Sequence, residues 1–284
     1  MTTIIKIGGA AIEDADILRV CAESVAKLTR ADRRVVVVHG GGKTLSRTLQ
    51  QLGMKSEFVD GLRVTDAATR DVALMVLAGL VNKRLVAAML QAGVPALGLC
   101  GGDGTMFRAR KKEIDGRDLG FVGEIASVDV RWLDAIWQQG GVPVLASVAL
   151  GEDRDYYNVN ADEMASACAV ACGAEMLVFL TDVDGVRDAS GSVIASLSEN
   201  DIPGLVANAS ISGGMLPKLQ ACTRALRRGV GRVRILAASR AELLPHLAKD
   251  TIGTEVIRGD FGPAGIGQED AVKEGVEIEY STAK

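Results

Sequence analysis

Val35-Val36-Val37-Val38-His39-Gly40-Gly41-Gly42-Lys43-Thr44 runs from four consecutive valines into three consecutive glycines and a lysine. An unbroken β-branched run suits a strand covered on both faces, the situation of a parallel sheet flanked by helices. Triple glycine after such a strand lets backbone approach an anion, and a helix opening at Lys43 favours the same charge. A simple tight turn is the plainer reading of the same residues. The segment is not a P-loop, because GxxxxGK[ST] needs glycine where Val37 stands, and no GxGxxG follows the strand. Outward from this point, short apolar strands alternate with helical stretches. Strands are expected at 3–7, 34–38, 94–99, 142–147, 176–180 and 233–237. Helices are expected at 16–29, 43–52, 67–91, 130–139, 161–172, 216–228 and 241–248. Such alternation predicts an α/β fold with helices covering a mostly parallel sheet, divided near Gly173 into two lobes.

The chain has 284 residues, 48% hydrophobic and 24% charged, with a formal net charge of −4. That length is about two ordinary domains, and the apolar fraction excludes disorder over most of it. A mildly acidic balance argues against general nucleic-acid binding, which needs a basic footprint. Five cysteines, an odd number without CxxC, argue for a reducing compartment over a disulfide framework. Cys168 and Cys172, one helical turn apart, read as small core residues rather than metal ligands. The apolar stretch 72–81 is short for a membrane span and stops at Asn82-Lys83-Arg84, and no signal segment precedes it. A cytoplasmic protein that crosses no membrane is therefore expected. Residues 105–124, with the turn signal Asp115-Gly116, read as a hairpin or flap. Residues 260–284 read as an acidic, flexible tail whose end (276–280) alternates well enough for an edge strand.

Further motifs carry charge next to glycine. Lys6-Ile7-Gly8-Gly9 puts an ammonium beside exposed backbone N–H groups, as an oxyanion site would, or leaves Lys6 in solvent on an edge strand. Asn158-Val159-Asn160-Ala161-Asp162 is a polar cluster at a helix start, in which Asn160 or Asp162 serves as cap or ligand group. Thr181-Asp182-Val183-Asp184-Gly185 places carboxylates beyond a strand, fit for a ribose hydroxyl, a metal or an Asx turn. Ser212-Gly213-Gly214-Met215-Leu216-Pro217-Lys218 sets a lysine early in a helix, where the dipole disfavours it unless an anion binds. Arg63, just ahead of an expected Thr65 cap, can clamp a carboxylate or pair with Asp60 or Asp66.

Taken in order, KIGG (6–9), VHGGGK (38–43), GLRVTD (61–66), NVNAD (158–162), TDVDGV (181–186) and SGGMLPK (212–218) resemble the amino acid kinase superfamily, and within it the kinases that act on N-acetyl-L-glutamate. The resemblance covers residues 3–258. It implies an open three-layer α/β/α sandwich, with an N-terminal lobe (1–173) for the acyl-amino acid and dimerisation and a C-terminal lobe (174–259) for ATP. The implied reaction moves the γ-phosphoryl group of ATP, with Mg²⁺ on its phosphates, onto a carboxylate in the second step of arginine biosynthesis. By the same resemblance Lys6 and Lys218 neutralise the transferring group and Asp162 holds both. Gly41 and Gly42 lie against the acceptor, with Arg63, Asn158 and Asn160 gripping its far end. Gly8, Gly9, Asp182, Gly185, Val186, Ser210, Ile211 and Gly213 line the nucleotide site. Arginine-inhibited members carry a helix ahead of the first strand, so a homodimer without strong arginine feedback is expected here. A kinase of N-acetyl-aminoadipate or another small carboxylate, and a silent nucleotide-binding regulator, remain open alternatives.

Overall fold

The computed structural model describes residues 1–207, 211, 214–247 and 252–259. The N-terminal apolar run forms β1 (Thr2–Ile7), followed by α1 (Gly9–Glu13) and α2 (Ala15–Arg30). The valine run becomes β2 (Arg34–His39), and α3 (Gly42–Gln51) opens directly beyond the glycines. A ribbon of β3 (Phe58–Val59) and β4 (Leu62–Arg63) leads into one long helical run. That run is α4 (Ala67–Ala73), a π-helical segment (Leu74–Val81) and α5 (Asn82–Gln91). Next come β5 (Ala96–Cys100), β6 (Phe107–Ile114), β7 (Arg117–Val128), α6 (Arg131–Gln138) and β8 (Val142–Ala146). β9 (Val148–Gly151), β10 (Tyr156–Val159) and α7 (Ala161–Ala171) follow. The remainder holds β11 (Met176–Thr181), β12 (Ser196–Ser198), α8 (Ile202–Ala207), α9 (Met215–Arg227), β13 (Arg232–Ala237) and β14 (Thr254–Ile257).

Eight strands form one sheet in the order β12-β14-β13-β11-β1-β2-β8-β5. The six strands from β13 to β5 run parallel, and β14 and β12 run opposite to them. β1 and β2 lie in the middle, and their alternating side chains feed two separate cores. Ile5, Ile7, Val35 and Val37 pack with residues of α2, α3 and α5 on one face. Ile4, Val36 and Val38 pack with Met164, Cys168, Leu219 and Cys222 of α7 and α9 on the other. Burial of each such side chain contributes about 1.5–3 kcal/mol, which is why the strands carry no polar alternation. Helices on both faces make this the expected three-layer α/β/α sandwich. In such a sheet the turns leaving parallel strands gather along one edge, the usual place for ligands.

Several expectations change. The 105–124 segment is a hairpin as expected, turning through Asp115 and Gly116 at φ of 48° and 72°. Its two strands, however, join β9 and β10 in a closed four-stranded barrel. The helix expected at 241–248 is instead a tighter 3₁₀ segment, Ala238–His246, broken in geometry at Arg240 and containing Pro245. Residue 248 and the tail 260–284 lie outside the described residues. The helical run Ala67–Gln91 proves long and apolar enough, by length and composition alone, to cross a membrane. Here it is a core helix, with Val72, Val76, Leu77, Val81, Leu85 and Met89 packed beneath the sheet.

Candidate active site

Three elements deliver one ion trio. β1 carries Lys6 near its C-terminal end, α7 carries Asp162 in its first turn, and α9 carries Lys218 at the end of its first turn. Asp162 Oδ1 lies 2.8 Å from Lys6 Nζ, and Lys218 Nζ donates to Asp162 Oδ2 at 2.7 Å. All three side chains are nearly buried, between 8% and 12% exposed, which sharpens their mutual attraction. Burial alone would push the Asp162 carboxyl up, but the two ammonium groups overcome it and hold the acid at about 2. Burial pulls Lys6 below the usual lysine range, with Asp162 opposing and Lys218 reinforcing that shift. One carboxylate facing two ammonium groups leaves a surplus positive charge aimed at the cleft. Lys218 Nζ also lies 5.3 Å over the ring of Phe179, the residue paired with Lys6 across β1 and β11. Asp182 acts electrostatically on Lys6 from the end of β11.

The glycines after β2 provide the second component. Gly41 has φ of 155°, and a Cβ there would meet Leu77 Cδ2 at 2.8 Å and Val81 Cγ2 at 3.1 Å. Only glycine fits between this turn and the π-helical segment. Gly41 is also the cap of α3 and supplies no side-chain acceptor. The amides of Gly42, Lys43 and Thr44 therefore begin a helix without intrahelical partners, which makes an anion site. α1 likewise starts uncapped at Gly8. The two turns face each other, since a Cβ on Gly9 would sit 3.7 Å from Gly42 N. The expectation for Gly8 needs correction: its N–H donates to Leu180 O at 2.9 Å and closes the sheet. The free donors at that turn belong to Gly9 and the residue after it.

A cleft of about 240 Å³ joins these parts, lined by Lys6, Gly9, Gly40–Gly42, Arg63, Asn158, Asn160 and Asp162. Arg63 is buried and makes no ion pair with Asp60, Asp66 or any other carboxylate among the described residues. Its guanidinium donates to Ser56 Oγ, to Ser46 Oγ at 2.6 Å and to Gly42 O at 3.3 Å, and it lies 4.5 Å over the Phe58 ring. Neutral acceptors hold the fork in place while its charge stays without a carboxylate partner among the described residues, an arrangement suited to binding an anion. Asp66 rather than Thr65 caps α4, accepting from Thr69 N at 2.7 Å. Thr65 is buried instead, receiving Asn158 Nδ2 at 3.4 Å. Asn160 turns its side-chain oxygen inward to cap α7, accepting from Asp162 N and Glu163 N. Its role is thereby partly structural: it fixes the first turn that carries Asp162.

The nucleotide-side candidates are less gathered. Asp182 is exposed and receives Thr181 Oγ1 at 3.0 Å. Gly185 packs against Thr254, and Val186 lies in the core with its N–H bonded to Thr254 Oγ1 at 2.8 Å. Val186 therefore positions the loop from beneath. Ile211 is buried, and Ser210 and Gly213 lie outside the described residues. Among the described residues no group of three His, Cys, Asp or Glu side chains stands ready to hold a metal ion. Both Asp162 oxygens are engaged by lysines.

Two features escaped the sequence reading. Lys112 of β6 reaches Glu163 at 2.8 Å and ties the hairpin to the helix that bears Asp162. His39 lies fully buried beneath the glycine turn, in contact with Asn82. Its place beside the glycines was the available signal.

The family model described as the amino acid kinase family matches residues 1–237. The chain is 59% identical over 259 residues to the acetylglutamate kinase of Acidobacterium capsulatum, covering 90% of this chain and 99% of that one. It is 55% identical, with the same coverage, to the acetylglutamate kinase of Koribacter versatilis. Among solved structures, smu.665 from Streptococcus mutans superposes with a TM-score of 0.77 at 28% identity, over 90% of this chain and 98% of that one.

Proposed function

The chain belongs to the amino acid kinase family, and from that footing we propose that it transfers the γ-phosphoryl group of ATP to the side-chain carboxylate of N-acetyl-L-glutamate. The products are ADP and N-acetyl-L-glutamyl 5-phosphate, an acyl phosphate on the route to arginine. The observation that carries this reading is the Lys6–Asp162–Lys218 trio, whose Lys6 and Asp162 line the same cleft as the unpaired Arg63 while Lys218 backs Asp162 from α9. The nucleophile is a carboxylate already ionised at neutral pH, so no general base is required. The obstacle is repulsion between that anion and a triphosphate, and catalysis consists of positioning and charge neutralisation.

Arg63 and Asn158 grip the end of the substrate that does not react. Binding there orients the other carboxylate toward the glycine turns. Its oxygen forms a bond to phosphorus as the bridging bond to the β-phosphate breaks, and ADP leaves with that electron pair. Lys6 and Lys218 flank the phosphoryl group from β1 and α9, and Asp162 prevents their mutual repulsion from spreading them. The amides of Gly9 and Gly41–Lys43 stabilise the oxygens on which charge develops. Mg²⁺ enters with ATP as part of the substrate, and Asp182 serves the nucleotide. Residues 1–173 thus hold the acceptor and residues 174–259 the nucleotide.

A cytoplasmic homodimer is part of the same proposal. β5 is the outer strand of the sheet, and Leu90, Leu97 and Trp132, each about half exposed, rim an apolar hollow beside it. A second copy would cover that surface. The enzymatic reading is tested by ADP release in the presence of MgATP, with and without N-acetyl-L-glutamate, and by hydroxylamine capture of the acyl phosphate. Capture with N-acetyl-L-glutamate and none with free glutamate is expected. A signal from glutamate alone, or ADP release indifferent to the acceptor, contradicts it.

A further inference from the structure

The glycine turn after β2 rests on a buried polar chain whose proton positions can be worked out from one end. Lys83 Nζ lies 3.1 Å from Asn82 Oδ1 and 3.0 Å from Gly98 O. An ammonium only donates, so the Asn82 atom facing it is the oxygen, and the Asn82 nitrogen faces the other way. That nitrogen, which donates only, faces Val144 O at 2.9 Å, His39 Nε2 at 3.0 Å and, more distantly, Leu99 O at 3.4 Å. His39 Nε2 is therefore an acceptor, and the ring carries its proton on Nδ1. Nδ1 then donates to Gly40 O at 2.7 Å. In a trans peptide the carbonyl and the following N–H point in opposite directions. Holding the Gly40 oxygen down on the imidazole turns the Gly41 N–H away from it. Gly41 lines the cleft, and its N–H has no protein acceptor among the described residues.

We propose that Asn82, steered by Lys83, is a positioning residue that fixes the His39 tautomer and thereby aims the Gly41 amide at the phosphoryl group in transfer. Its bearing on catalysis rests on the kinase reading above, whereas the tautomer does not. The surroundings are built for this contact. Asn82 and His39 are fully buried, and a Cβ on Gly98 would lie 2.0 Å from Asn82 Oδ1. Glycine at that point of β5 is what allows Asn82 to approach. Burial holds the His39 ring neutral, down to about 4, with Lys6 from β1 and Lys83 from α5 as the charged groups acting on it. A neutral ring is the state in which one nitrogen must accept, and Asn82 makes Nε2 that nitrogen while Gly40 O takes the Nδ1 proton.

Two measurements test the proposal. The chain has only two histidines, His39 and His246, so ¹⁵N-labelled histidine gives readily assigned long-range ¹H–¹⁵N spectra. The buried ring is expected as the Nδ1–H tautomer without titration between pH 5 and 8. An Nε2–H tautomer, or a midpoint near 6.5, overturns the assignment whatever the enzyme's activity. In the second, ADP release is measured for Asn82→Ala and Asn82→Asp from pH 8 to 6. Asn82→Ala is expected to lower kcat roughly 10- to 100-fold while leaving both KM values within about threefold. In Asn82→Asp the carboxylate accepts from Nε2, so only the imidazolium can still donate to Gly40. Its deficit relative to the parent protein should shrink as pH falls, whereas that of Asn82→Ala stays flat. Equal, pH-independent deficits in the two variants, or losses confined to KM, contradict the positioning role. If the parent protein itself fails to use N-acetyl-L-glutamate, the kinase reading falls and the tautomer result stands on its own.

Discussion

The turn that leaves β2 and the turn that leaves β11 sit at the same edge of one sheet and are built in opposite ways. After β2 there are three glycines, an uncapped helix and a buried histidine bonded to the turn itself. After β11 come exposed carboxylates, Asp182 and Asp184, whose partners are a neighbouring hydroxyl and Arg187. The first presents backbone donors held from below, which suits a group whose charge changes during reaction. The second presents acceptors free to adjust, which suits hydroxyls and a hydrated divalent ion. Lys6 and Lys218, bridged by Asp162, occupy the ground between them. Rigidity and positive field belong to the β2 turn, which the proposed function gives to the acceptor, and adaptability belongs to the β11 turn, which it gives to the nucleotide.

The sharpest way to break that contrast is to remove the charge between the two turns. Lys218→Ala should lower kcat by about 10²–10³-fold with little change in either KM, as expected of a group that acts on the transition state. A fall seen only in KM for ATP would move Lys218 to the nucleotide side. Next in size is an acid effect belonging to the β2 turn. His39 is held neutral down to about 4, whereas the unfolded chain takes up that proton near 6.5. The unfolded state therefore binds more protons across this window, and stability should drop by about 3 kcal/mol as pH falls from 6.5 to 4. Denaturant titrations should show that slope in the parent protein and lose it in His39→Gln. Asp162, at about 2, adds a further loss only below its ordinary value of 3.8.

Arg63→Ala should raise KM for N-acetyl-L-glutamate by roughly 10- to 100-fold, from loss of charge-assisted bonds of about 1.5–3 kcal/mol, and leave KM for ATP alone. The smallest effect is expected from Asp182→Ala, about a fivefold rise in KM for ATP without change in the acceptor's, because an exposed group is screened. Steady-state kinetics with each substrate varied in turn checks both. An Asp182 effect larger than that of Arg63 would reverse the contrast.

Valines 35–38 made the sheet legible because burial on both faces removes polar alternation, and the glycines beside them marked the anion-facing edge. The six strands from β13 to β5 could be read in this way, whereas Lys6, Asp162 and Lys218 were joined into one group only by the family resemblance. β9 and β10 could not, because strands of four residues closing a barrel leave almost no periodic signal. β14 was missed for the same reason of length. Asn160 and Arg63 were ambiguous in sequence because a cap and a ligand group use the same side chains. Burial decided in favour of an unpaired guanidinium at Arg63, and hydrogen bonding showed Asn160 to be the cap. Asn82 looked like the polar end of an apolar run. Only the fold brings it to His39, 43 residues away.

A structure of the protein with ADP, N-acetyl-L-glutamate and a planar aluminium fluoride tests the central claim most directly. Lys6 and Lys218 Nζ should each lie about 3 Å from the fluoride group, on opposite sides, with Asp162 still between the two nitrogens. An analogue bound in line while either ammonium remains more than about 6 Å from it, well beyond hydrogen-bond reach, would contradict the account.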